Sequence, residues 1–177
     1  FTPLQGAIRY GLAAIKGLGT NIVNAVIEAR SSGPFKSFFD FAERLGNGNL
    51  NKRVLEGLVG AGAFDSLKPE SRLLDEWRGA LSNSIDAALS RSQRAKRERL
   101  QGQNGLFGAA TGDSDFVEEL PLATTPWTRA QLLLAEKAAL GFYITGHPLE
   151  SYLEILENIK TTKSSELPNL VSGTKVC

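Results

Sequence analysis

The sequence predicts an all-α fold, and three observations predict it. A glycine turn, Gly17-Leu18-Gly19-Thr20, separates two runs of apolar residues at helical spacing. The same spacing returns once, around Gly60 and Gly62, and Leu74, Trp77, Leu81, Ile85 and Ala88 then trace a long amphipathic stripe. The expected architecture is a tandem helical-hairpin domain, a long amphipathic helix, an irregular linker and C-terminal helices.

Residues 1–11 read as an extended lead-in, with Ile8-Arg9-Tyr10-Gly11 as the end of a preceding domain. In the first hairpin, Leu12 and Ile15 fall on one helical face, two glycines permit a tight reversal around a buried Leu18, and Val23, Val26 and Ile27 resume the stripe. This is a helix-hairpin-helix pattern. Its glycines leave main-chain N–H groups uncovered, and Thr20 is placed to cap the helix that follows. Bare N–H groups at a helix N-terminus attract phosphate. An ordinary ligand-free helical hairpin is the alternative. Leu55, Leu58, Gly60, Ala61 and Gly62 repeat the spacing of Leu12, Ile15, Gly17, Leu18 and Gly19, giving two hairpins over residues 12–66. The second is degenerate, since Ala63-Phe64-Asp65 follows its glycines, so Gly17 to Thr20 is the better phosphate site. Lys16, Gly17, Leu18, Gly19, Thr20, Gly60 and Gly62 are the candidate DNA-binding residues, gripping phosphates without reading bases.

Between the hairpins, Gly33-Pro34 marks a turn, and Phe35, Phe38, Phe39, Ala42 and Leu45 define a linking helix with a core-facing side. Stacking of these rings on bases is the sharper alternative to core packing. A long helix is expected from Glu70 to Leu100, within a segment 67–100, losing its apolar stripe after Leu89. Its end, Arg91-Ser92-Gln93-Arg94-Ala95-Lys96-Arg97-Glu98-Arg99, is either a solvated helix terminus favoured by the dipole or a phosphate contact. Residues 101–125 carry no basic residue and read as a linker. Thr125-Pro126 then restarts helix as N-cap and first position, running through Leu132, Leu133, Ala135 and Glu136 to Leu140, where Gly141 stops it. A turn over Phe142 to Leu149 and a last short helix from Glu150 to Ile159 complete the segment 126–160.

Composition narrows the function. The 177 residues are 42% hydrophobic, enough for one ordinary domain or a compact domain with an appendage. Twenty Lys and Arg stand against 19 acids, a net charge of +1, so any DNA affinity is local rather than global. No apolar run approaches the roughly 20 residues needed to cross a bilayer, and Phe1 opens no signal peptide, so no membrane role is expected and the chain reads as cytoplasmic. The single Cys177 excludes an intrachain disulfide, and with the single His147 it assembles no conventional zinc site. The missing initiator methionine suggests an excised fragment.

In the linker, Gln103-Asn104-Gly105-Leu106-Phe107 places two large apolar residues beside a glutamine on a segment with no helical stripe to bury them. Such anchors either fill a partner's pocket or tuck back onto the domain. The pattern resembles the bacterial sliding-clamp-binding motif, Gln-x-x-Leu-Phe, with Gln103, Leu106 and Phe107 at the defining positions. Gly105 stands where many such motifs carry Ser or Asp, so a side-chain contact is missing.

Ile8 to Gly19, Gly33-Pro34-Phe35, Asn51 to Glu56, Gly62-Ala63-Phe64-Asp65 and Leu140 to Leu149 together resemble, in order and spacing, the alpha subunits of bacterial DNA polymerase III. The resemblance covers essentially the whole chain. It implies a C-terminal slice of a longer polymerase: residues 1–11 end the fingers, the clamp-binding domain with its tandem hairpins follows, and residues 161–177 lead into an OB-fold domain. It also implies double-stranded DNA, the sliding clamp (beta subunit) and other replicase subunits as partners. The family's two-metal nucleotidyl transfer uses palm aspartates, with Mg2+, upstream of these residues, so the slice itself is expected to be non-catalytic and to hold no cofactor. Asp113, Asp115, Glu118 and Glu119 lie in the linker, where nothing would fix two metals, and read as solvating residues. His147, in the family's Gly-His-Pro signature, reads as a structural turn.

Two rival functions remain from the residues. A repair-type enzyme fragment would use Lys16 as a desolvated nucleophile beside the hairpin, but no matching acid follows at helical distance. A purely structural helical domain would bind no DNA at all.

Overall fold

A computed structural model describes residues 2–46, 50–100, 125–158, 162 and 164–174. The motif Gln103 to Phe107 and the acids Asp113, Asp115, Glu118 and Glu119 therefore lie outside the described residues, as does the side chain of Arg99. Two compact units divide the chain, residues 1–143 and 144–177.

Among its described residues, the regular structure of the first unit is helical apart from a two-stranded antiparallel hairpin at its start. Strands β1 (Thr2–Leu4) and β2 (Ala7–Arg9) pair Thr2 with Arg9 and Leu4 with Ala7. Helices α1 (Thr20–Arg30), α2 (Phe38–Arg44), α3 (Lys52–Gly60), α4 (Leu74–Asn83), α5 (Ile85–Leu100) and α6 (Arg129–Leu140) follow. Local chemistry starts several of them. Ser37 Oγ accepts from the Asp40 N–H at 3.0 Å, and Asn51 Oδ1 from the Val54 N–H at 2.9 Å, each relieving an orphan donor of a first turn.

The core lies where α2, α3, α4 and α5 meet. Phe38, Phe39, Phe41, Ala42 and Leu45 are buried, with Phe35 packed against them, so the phenylalanines are core and not a stacking platform. Phe64, from the second glycine turn, takes both Phe38 and Phe41 edge-on at 5.0 Å between ring centres. Edge-to-face pairs of this kind contribute about 1 kcal/mol beyond their buried area. Trp77 closes the cluster by donating its indole N–H to the Phe64 carbonyl at 3.1 Å.

Several expectations need correction. The long helix is two helices. It begins at Leu74, not Glu70, with Glu76 Oε2 accepting the Leu73 N–H at 3.1 Å, and it breaks at Ser84. There the serine hydroxyl bonds back to the Ala80 carbonyl at 2.9 Å, the local competition with helix geometry that serine favours. The packed face of α5 also continues past Leu89. Ser92 is buried, and a methyl group placed on Gly46 would sit 2.8 Å from the Ser92 carbonyl oxygen and 3.3 Å from Ala95 Cβ. Small residues make this contact, so an apolar count misses it. Arg91 belongs to the same seam, over the Phe39 ring at 4.2 Å and 3.4 Å from Glu43, which makes it an internal contact before it is a phosphate ligand.

The N-cap of α6 is Thr128, not Thr125. Thr128 Oγ1 accepts from the Gln131 N–H at 3.2 Å while Gln131 Oε1 takes the Thr128 N–H at 2.8 Å. Residues 125–128 instead run extended across α4, where Gly79 lets them close in: a methyl there would lie 2.9 Å from the Thr125 carbonyl oxygen. Gly141 ends α6 in the left-handed conformation, φ +92°, as the sequence indicates.

In the second unit a 3₁₀ turn (Glu150–Tyr152) runs into α7 (Leu153–Asn158), and a further 3₁₀ segment spans Ser164–Asn169. His147 organises the turn that precedes them. Its Nδ1 accepts the Leu149 N–H at 3.2 Å, and its own N–H donates to Glu150 Oε1 at 2.8 Å.

Candidate nucleic-acid interface

Only half of the first hairpin is α-helical. The segment before its turn is a single 3₁₀ turn, Leu12–Ala14, and α1 begins at Thr20. Too short to stand alone, this turn is braced from outside. The Lys16 N–H donates to the Ala139 carbonyl at 2.8 Å, and the Tyr10 hydroxyl reaches the Ala14 and Leu140 carbonyls at 3.1 and 3.4 Å. The hairpin thus uses up carbonyls that the end of α6 leaves unpaired. On the other side Gly57 lets α3 approach: a methyl there would lie 3.6 Å from the Lys16 carbonyl oxygen and 3.7 Å from Leu18 Cδ1. Leu18 and Ile15 are buried, Val26 is buried behind them, and Ile27 faces solvent at 62% exposure, so the stripe of α1 runs through Ile22, Ala25, Val26 and Ala29.

At the turn itself Gly17 has φ +85°, which a side-chain-bearing residue adopts only with strain. Gly19, not Thr20, occupies the N-cap position of α1, and no side chain caps it. The consequence is a cluster of free donors. Among the described residues, the N–H groups of Gly17, Gly19, Thr20 and Asn21 find no acceptor within the chain, while Leu18 donates to Ile15, and Ile22 and Val23 to Gly19. Gly17, Gly19, Thr20 and Asn21 are all exposed. Donors without partners at the start of an eleven-residue helix make a surface suited to an oxyanion.

The second hairpin, which carries the candidate residues Gly60 and Gly62, differs in its turn. Gly60 is the last residue of α3 and is buried against α6, with the Ala135 carbonyl oxygen 3.0 Å from where a methyl would be. The turn amides are satisfied inside the chain: Ala61 donates to Gly57, Gly62 to Val59 and Ala63 to Leu58 at 2.9–3.0 Å. Gly62, φ +75°, is covered by the side chains of Arg78 and Asp65. Arg78 is bound on two sides, to Asp65 Oδ2 at 2.6 Å and to the fully buried Glu136 at 3.0 Å. Burial alone pulls the guanidinium down, but the hydrogen bonds and charges of Asp65, and then Glu136, outweigh it and hold it above its ordinary value. The second turn is a joint between α3, α4 and α6.

The sequence reading missed Arg53, whose Nε lies 3.6 Å from the methyl position of Gly17. A cleft of about 400 Å³ beside the first turn is lined by Lys16, Arg53, Glu56, Gly57, Ala135 and Ala139. The signal available in the sequence was a pair of cations, Lys52 and Arg53, in a first helical turn without an acid.

Among the described residues, no group of three or more His, Cys, Asp or Glu side chains is placed to hold a metal ion. Nor is any helix among them long and apolar enough to cross a membrane.

The model of the helix-hairpin-helix motif family matches residues 1–74, the segment that holds both glycine turns. DNA polymerase III subunit alpha of Haemophilus influenzae is 36% identical over 93% of this chain, and that of Escherichia coli K12 is 40% identical over 86%. The Neisseria meningitidis subunit is 37% identical over 94%. The chain spans 13–14% of the length of these relatives. Over that span, the chain belongs to the DNA polymerase III alpha-subunit family.

Proposed function

We propose that this chain is a non-catalytic segment of a replicative DNA polymerase that grips duplex DNA through the first hairpin and tethers the polymerase to the sliding clamp. The observation that carries the reading is the cluster of four unpartnered, exposed N–H groups at Gly17, Gly19, Thr20 and Asn21. Main-chain donors contact phosphate and carry no sequence information, so the grip is indifferent to sequence. The family model and the names of the relatives point the same way.

Tethering is assigned to Gln103, Leu106 and Phe107. Two weak contacts on one chain raise each other's effective concentration, so a modest grip on duplex and a modest grip on the ring encircling it add up to processivity. Two titrations test the reading. Labelled duplexes of unrelated sequence should bind with equal affinity that falls as NaCl rises, by a slope that corresponds to few phosphates. No binding at low salt would leave a structural domain, and strong sequence preference would contradict an amide grip. Against the clamp of the same source, Leu106→Ala with Phe107→Ala should cost at least about 2 kcal/mol, the scale of an interface anchor. Equal binding by the double variant would remove the clamp assignment.

A further inference from the structure

We propose that Arg53, on α3, supplies the phosphate-binding cation of the first hairpin, and that Lys16, within the hairpin, does not. The assignment rests on the duplex-binding reading above and names the side chain that completes its site.

Gly57 seats α3 on the Ile15–Leu18 turn, and Arg53 lies one helical turn earlier on the same face. That register carries its guanidinium along the hairpin to Gly17, with Nε 3.6 Å from the methyl position of the glycine. Any side chain at 17 would begin to fill this space. Arg53 therefore stands beside Gly17, whose N–H is free, and the cleft it lines opens beside the turn.

Helix stability gives no reason for a cation at this position. The N-terminal end of a helix disfavours positive charge, and the first turn of α3 has two cations and no acid. Lys52 is compensated by Asp86, 3.2 Å away. Arg53 is exposed and has no ion-pair partner among the described residues, Glu56 on the same cleft included. A planar fork of N–H donors beside main-chain donors suits the oxygens of one phosphodiester, which presents more than one acceptor.

Lys16 also lines the cleft, but its ammonium lies toward a different helix end. Its Nζ lies 3.3 Å from the methyl position of Gly141, at the C-terminal end of α6, where the helix dipole favours a cation. Its ammonium stands near the C-terminal end of one helix while the free amides belong to the start of another.

The test is a fluorescence-anisotropy titration of a short labelled duplex across a NaCl series with wild type, Arg53→Gln, Arg53→Lys and Lys16→Gln. Arg53→Gln should weaken binding equally for unrelated sequences and reduce the slope of log K against log[NaCl] by about 0.9, one phosphate contact. Arg53→Lys should restore the slope, which separates charge from packing, and Lys16→Gln should leave it unchanged. Thermal melts should be alike, because Arg53 is exposed. Wild-type binding with an unchanged slope in Arg53→Gln, or loss of the slope in Lys16→Gln, overturns the assignment and leaves the duplex-binding reading standing. Absence of wild-type binding at low salt overturns both.

Discussion

The Lys16 N–H donates to the Ala139 carbonyl at 2.8 Å, so the first hairpin, near the start of the chain, hangs on the last turn of α6, beyond the linker. A hairpin whose leading arm is one 3₁₀ turn has little stability of its own, because a short helical segment does not repay the cost of its nucleation. A chain cut after residue 100 should therefore lose the hairpin as well as α6. We expect loss of the cooperative melt and fast hydrogen exchange of the Lys16 amide, and a truncated chain that melts like wild type would refute the dependence.

Arg78 and Glu136 give a second measure of the same docking. Both are buried, so removing Arg78 strands the Glu136 carboxylate in the interior, whereas removing Glu136 leaves Arg78 still paired with Asp65. Arg78→Met should cost about 3–5 kcal/mol and Glu136→Leu less, because Asp65 still compensates Arg78, while the double variant should recover part of the Arg78→Met loss. Urea denaturation of the four proteins reads the cycle, and additive losses would show that the pair is not coupled.

Gly17 and Gly62, each left-handed at its turn, separate binding from stability. Gly17→Ala places a side chain at φ +85° with its nearest neighbour at 3.6 Å, and should cost about 1–2 kcal/mol together with a loss of duplex affinity. Gly62→Ala, at φ +75°, would put its methyl 2.5 Å from both Arg78 and Asp65. It should destabilise more than Gly17→Ala and yet leave the duplex affinity of the folded fraction unchanged. A reversed pattern in anisotropy would place the grip at the second turn.

Arg44 ties off the end of α1. Its guanidinium donates to the Pro34 and Gly33 carbonyls at 3.0 and 2.9 Å and to that of Ala29, while it lies over Phe35 at 4.5 Å. Arg44→Ala should cost about 2 kcal/mol, because several charge-assisted bonds to main-chain carbonyls are lost at once. Arg44→Lys should recover little of it, since an ammonium cannot span carbonyls arranged for a planar fork. Thermal melts of the two variants check both statements.

The sequence by itself determined the helical class, the core phenylalanines, the glycine turn with Leu18 buried inside it, the stop at Gly141 and the turn at His147. Each of these follows from spacing or from one residue's backbone preference, which are local properties. Only the tertiary structure decided the rest. It divided the long helix at Ser84, moved the start of α6 to Thr128, and showed that two turns of like spacing differ in their free donors. The physical reason is that an N–H is free or satisfied according to what packs against it. Around Gly62 the amides turn back on α3 and Arg78 and Asp65 cover the rest, whereas around Gly17 they face outward with Arg53 alongside. Arg53 was legible only as an odd cation in a first turn; its place beside Gly17 depends on Gly57 letting two segments meet that the sequence keeps apart.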